Sequence, residues 1–271
     1  MQTTANIWDV LCRDLETQRQ SVKAEEYHNL AKSFLDSARK VLRPDSPRLC
    51  DAIEIAGDVF QAAGRKDDAV ASFEEALEKS LQGEANPSST RLAAKVALIY
   101  DQKGEVDRAI KAYERALSLY EAVNDRSQHT MLLNQLGSLQ KSAGDYPAAI
   151  KSYEQAMEIA TNLFGDRDPE VAAAANNLGV VYAESGDYVT AENYHMQALS
   201  VRETSYGAMH REVAQSMANL AVVYHVSGDA NKANGFYTGA LKIYKRFLPD
   251  DDAEVQTVMA NQRALLEKFG T

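Results

Sequence analysis

On either side of a recurring glycine, large apolar residues stand at i, i+3, i+4 and i+7. Alternation of period two is absent, so the pattern predicts amphipathic helices and no sheet. The stretch NNLGVVYAESGDYVTAENYHMQAL (176–199) has one apolar stripe before a Gly-Asp-Tyr and another after it. Nearly the same wording returns as ANLAVVYHVSGDANKANGFYTGAL (218–241). Gly64, Gly104, Gly144, Gly186 and Gly228 lie 40, 40, 42 and 42 residues apart. Five residues past each stands Ala69, Ala109, Ala149, Ala191 or Ala233, and seven further on Ala76, Ala116, Ala156, Ala198 or Ala240. Seven residues before each glycine the chain is again small (Gly57, Ala97, Gly137, Gly179, Ala221), and four before it comes Phe60, Tyr100, Gln140, Tyr182 or Tyr224. Each repeat therefore reads as a helical hairpin. Glycine closes the first helix where a β-carbon would be penalised, and the small positions let the two helices touch.

The ordered set of a small residue in the first helix, Gly at the turn, then A-x3-[FY]-x2-A-[LM], resembles the tetratricopeptide repeat; the aromatic is Phe73, Tyr113, Tyr153 and Tyr237 in four copies. Such repeats are usually about 34 residues long. The longer period here, with the linkers LFGDRDPEVAAAANNLGVVY and SYGAMHREVAQSMANLAVVY, is similar to the kinesin-light-chain subfamily. The chain departs from that pattern in places. His195 replaces the aromatic of the fourth copy, Gln140 replaces that of the third first-helix, and the earlier linkers lack the light-chain wording. No heptad run like the light-chain coiled coil occurs, so motor binding by that route is not expected. The short, stand-alone form is similar to the bacterial kinesin-light-chain-like proteins encoded beside bacterial tubulins.

The expected fold is all-α, a right-handed α-solenoid of tetratricopeptide hairpins. Residues 45–252 divide into five of them, about 49–88, 89–128, 129–170, 171–212 and 213–252. Residues 1–44 read as an N-terminal cap or degenerate repeat, with Tyr27, Leu30, Phe34 and Ser37 at second-helix positions and an apolar face of Ile7, Trp8, Leu11 and Leu15 upstream. Residues 253–271 read as a capping helix with Val255, Val258, Met259, Leu266 and Phe269 on one face; Asp250 to Asp252 serve its N-terminus rather than calcium.

Composition narrows the chemistry. With 29 Lys and Arg against 39 Asp and Glu, the formal charge is −10, which argues against a nucleic-acid partner. Only Cys12 and Cys50 are present, so neither a disulfide framework nor a thiolate metal site is expected, and a reducing, cytoplasmic setting is. No stretch is apolar enough to span a membrane. The histidines (His28, His129, His195, His210, His225) fall in no metal-ligand spacing, and nucleophile, P-loop and dinucleotide fingerprints are absent. Neither an enzyme nor a cofactor or metal is expected.

The resemblance implies that the first helices line a concave side. The candidate partner-binding residues there are Arg91 and Lys95 in the second hairpin, Asn134, Gln135, Ser138 and Lys141 in the third, Asn176, Asn177 and Val180 in the fourth, and Gln215, Asn219, Val222 and His225 in the fifth. Gln135, Asn177 and Asn219 occupy one equivalent position, an amide ladder able to donate to and accept from a peptide backbone. The alternative use of such an asparagine is to bond the neighbouring repeat. Val180 and Val222 offer apolar floor, and Arg91, Lys95 and Lys141 the local positive charge, for an extended, partly apolar peptide carrying an acidic residue. The Lys/Arg clamp of chaperone-tail grooves is missing. An adaptor for a peptide or a tubulin-like filament is the leading expectation. A peptide- or ligand-responsive regulator and an assembly factor self-associating through its terminal helices are the alternatives.

Overall fold

The computed structural model describes residues 24–270 except 83, 124 and 125, with side chains from His28 onward save Ser127. The expected apolar face around Trp8, Cys12 and the Tyr27 side chain lie outside the described residues. The described residues form twelve helices and no strand, in two compact units that divide between residues 125 and 126. In the first unit, α1 (Ala24–Val41) precedes the hairpins α2 (Pro47–Ala62) with α3 (Lys66–Ser80) and α4 (Pro87–Gln102) with α5 (Val106–Ala122). In the second, three hairpins pair α6 (Arg126–Ser142) with α7 (Tyr146–Phe164), α8 (Pro169–Ser185) with α9 (Tyr188–Tyr206), and α10 (Arg211–Ser227) with α11 (Ala230–Phe247). The last helix is α12 (Ala253–Phe269).

The punctuation acts as the spacing predicts. The five hairpin glycines all sit at positive φ, between 73° and 93°, where the chain reverses from a first helix into a second. Helix starts carry their own acceptors. The side chains of Asp145, Asp168, Asp187, Asp229 and Asp252 each accept from a backbone N–H two or three residues on. Asp252 accepts from the Glu254 N–H at 2.9 Å, which agrees with a capping use for that aspartate. Asp252→Ala is expected to cost about 1 kcal/mol, read as a lower denaturation midpoint with unchanged helix content; no change would mean that water serves the α12 N-terminus equally well.

The small first-helix positions turn out to be seats for rings. A β-carbon on Gly57 would lie 2.6 Å from the Phe73 ring, one on Gly137 2.7 Å from Tyr153, and one on Gly179 2.6 Å from His195. Phe73, Tyr113, Tyr153, His195 and Tyr237 are all at most 2% exposed. The second aromatic slot varies with its partner. Tyr182 stacks on Tyr194 and Tyr224 on Phe236, both at 5.6 Å. Where Gln140 replaces the tyrosine, the buried Ser152 hydroxyl donates to its amide oxygen at 2.7 Å, so a polar pair fills the slot.

The ends differ in detail from expectation. In α1, Ala31, Phe34, Leu35 and Ala38 are buried against α2, while Leu30 and Ser37 are only half-buried. In α12, Val255, Val258 and Leu265 are buried, whereas Leu266 is half-buried and Phe269 stays 37% exposed. The expected stripe slips by one residue at its end, because α12 packs chiefly on α11 and turns its last turn partly to solvent.

Candidate functional site

The first helices of the second unit, α6, α8 and α10, lie side by side. Their exposed positions fall on one face because residues four and seven apart share it. Asn134, Gln135, Asn177 and Asn219 are half-buried there, Asn176 is buried, and Ser138, Gln215 and Val222 are exposed. The asparagines join across neighbours. The Asn177 amide donates to the Asn134 oxygen at 3.2 Å, and the Asn219 amide to the Asn176 oxygen at 2.8 Å.

Two rungs, Asn134–Asn177 and Asn176–Asn219, each spend one donor and one acceptor between repeats, so the asparagines also bond the neighbouring repeat. A carboxamide has two donors and two acceptor sites. Each half-buried rung asparagine therefore keeps capacity that the rung does not use.

Around the rungs the other candidates divide. Lys141 pairs with Glu184 at 2.9 Å, so it brings no net positive charge. Ser138 meets the Tyr153 hydroxyl, whose pKa burial raises to about 12. Gln215 accepts from Arg202 at 3.0 Å. Arg202, 5% exposed, also donates to the Glu212 carbonyl and the Ser216 hydroxyl and pairs with the Glu212 carboxylate at 2.9 Å. It locks α9 to α10, a role its sequence gave no hint of. Val180 is half-buried beside Asn177, and Val222 is 37% exposed. His225 meets Tyr237 and Phe269 edge-on, both at 6.3 Å, and burial followed by the nearby Lys268 charge lowers its pKa.

In the first unit, Arg91 and Lys95 are not free cations. Arg91 makes a two-point contact with Glu54 at 2.8 and 2.9 Å, and Lys95 reaches Glu54 at 2.9 Å and Asp58 at 2.6 Å. Burial alone raises a carboxyl pKa, but the hydrogen bonds from Arg91 and Lys95 outweigh it at Glu54 and hold the value below normal. The positive charge expected to receive an acidic ligand instead ties α4 to α2.

Sequence reading missed the walls of a hollow on α6. It has a volume of about 450 Å3, and Phe164 and Glu170 line it together with Met131, Asn134, Gln135 and Ser138. Phe164 is the last residue of α7 and 50% exposed. An aromatic directly before the linker glycine was its only signal. No group of three or more metal-ligating side chains occurs among the described residues, and none of their helices is long and apolar enough to cross a membrane.

The tetratricopeptide repeat family model matches three overlapping segments, residues 88–162, 127–204 and 170–246. Together these exceed half of the sequence, and the chain belongs to the tetratricopeptide repeat family, an all-α solenoid class. Among solved structures, the bacterial kinesin light chain BtubC (BKLC) from P. vanneervenii is 25% identical, over 86% of this chain and 96% of that one, with a TM-score of 0.68. The nearly identical TPR-like repeats of a Podosopora anserina kinesin light chain are 18% identical over 84% of this chain and 97% of theirs, TM-score 0.56. The apo form of RapI is 17% identical over 90% of this chain and 65% of its own, TM-score 0.74. The last two likenesses show the fold alone. A search of curated protein sequences finds no match.

Proposed function

We propose that this chain is a non-enzymatic scaffold or adaptor that binds an extended segment of another protein across α6, α8 and α10. The single observation that supports this most is the pair of asparagine rungs, Asn134–Asn177 and Asn176–Asn219. An extended peptide exposes one donor and one acceptor per residue on its backbone. Side chains that are both donor and acceptor, fixed in place by a bond to one another, can meet that backbone whatever its sequence. Pre-fixing also lowers the ordering cost at binding.

The partner class we favour is a tubulin-like filament protein. Its support is the likeness to BtubC (BKLC) over nearly the full length of that chain, together with the light-chain wording of the two last linkers. The test is sedimentation with preassembled bacterial and eukaryotic tubulin-family filaments at two salt concentrations. Saturable co-sedimentation is expected with one of them.

Asn177→Ala with Asn219→Ala is expected to weaken that binding at least about tenfold, from two lost hydrogen bonds of about 1 kcal/mol each. The same double change is expected to lower stability by about 1–3 kcal/mol, because water reaches the half-buried Asn134 left behind while the buried Asn176 oxygen loses its donor. Binding untouched by the double change would remove the rungs from the partner surface, and a protein left in the supernatant with every filament would end the filament reading.

A further inference from the structure

The rung face has two unlike apolar ends. At one, Met131 and Phe164, 47% and 50% exposed, stand at the hollow on α6. At the other, Val222 and Val226 stay exposed on α10, and α12 sets Phe269 edge-on to His225. Between these ends lie the two asparagine rungs, polar and uncharged.

The ends also differ in charge. Glu170 lies on the wall of the hollow with Met131 and Phe164. At the far end, the Lys268 ammonium lies 5.0 Å from the Phe269 ring centre.

Their separation follows from helix geometry. Neighbouring helix axes lie roughly 10 Å apart, so two steps from α6 to α10 cover roughly 20 Å. In the repeat register Met131 is equivalent to Gln215, and Val222 stands two turns further along, roughly 10 Å at 1.5 Å per residue. The diagonal is therefore roughly 23 Å, and it passes over Asn177 and Asn219. An extended chain at about 3.3 Å per residue covers it in about seven residues.

We infer that the occupant of this face is an extended peptide with two apolar anchors about seven residues apart and an uncharged polar segment between them. A basic residue sits beside the anchor at Met131, and an acidic residue beside the anchor at Val222, on the side where Lys268 and Phe269 stand. The inference rests on the reading of the rungs as a peptide-backbone site and adds to it a spacing and a direction. Two anchors of opposite flanking charge fix which way the peptide runs, something the rungs alone cannot do, since an amide serves a backbone in either direction.

An array of random dodecapeptides probed with the intact protein tests it. Bound peptides are expected to share two apolar positions about seven apart, at least about tenfold above single-anchor peptides. Lys or Arg is expected by one anchor and Asp or Glu by the other. Met131→Ser and Val222→Ser change exposed side chains, so folding is not at stake; each is expected to erase the preference at one anchor only. Suppose that retained peptides show one anchor or no fixed separation, yet are lost on Asn177→Ala with Asn219→Ala. The two-anchor inference then falls and the rung site stands. Two-anchor peptides held equally well by that double variant would overturn both, because the path between the anchors would then avoid the rungs. An array that retains nothing overturns both as well.

Discussion

Tyr153→Ala is expected to destabilise the unit that begins at Arg126 by about 3–5 kcal/mol, the range for deleting a large buried ring. The ring is 2% exposed and lies directly over Gly137, where a β-carbon would come within 2.7 Å of it. Gly137→Ala gains about 1 kcal/mol of helix propensity but pushes a methyl group into that ring, at about 1–3 kcal/mol. A fixed ring above a packed helix has little room to retreat, so the clash wins and the single change destabilises. In the double variant the new methyl group enters space that the ring has left. The two changes are therefore expected to couple favourably, by about 1–2 kcal/mol, in a denaturant double-mutant cycle. Strict additivity would mean that the ring and the glycine do not share one seat, and that the small positions have some other cause.

Acid is expected to weaken the same unit through His195. Its ring occupies the aromatic seat over Gly179 at 1% exposure, and its Nδ1 is buried without a hydrogen-bond partner. Burial, with the Arg202 charge adding to it, lowers its pKa to about 4 from 6.5. Above pH 6.5 the ring is neutral both folded and unfolded, and the stability linked to it is fully present. As the pH falls from 6.5 to about 4, the unfolded chain takes up a proton that the folded chain refuses. At about 1.4 kcal/mol per pH unit the loss reaches about 3 kcal/mol.

His195→Phe is the informative variant, because Phe73 already fills the equivalent seat over Gly57. It is expected to remove the acid-linked loss while keeping neutral-pH stability near that of the parent. The readout is the difference in unfolding free energy between pH 7 and pH 4.5 for the two proteins. An identical pH dependence in both would show that the carboxylates, not His195, govern the acid limb.

The candidate site was only partly legible in the sequence. Asn134, Asn176, Asn177 and Asn219 could be placed on first helices from the repeat register alone. That they bond in offset pairs could not, because the offset depends on how far neighbouring first helices slide past one another. Arg91, Lys95 and Lys141 were visible as cations, but Glu54, Asp58 and Glu184 lie about forty residues away in sequence, and only packing brings them into contact. Phe164 and Glu170 reach the hollow because a helix end and the next helix start meet there.

What the sequence by itself determined was the repeat. Glycines at steps of 40 and 42 residues fix where each helix ends, since a residue without a β-carbon takes up the positive φ found there at least cost. The small residue seven places earlier and the ring nine places later fix how close the two helices lie. Those are local constraints, each settled within one hairpin. What only the tertiary structure decided was the surface between hairpins: which amides pair, which charges cancel, and which apolar side chains stay in water. These depend on the slide and rotation of one hairpin against the next, which are set by the sum of many side-chain contacts. No single position in the sequence records them.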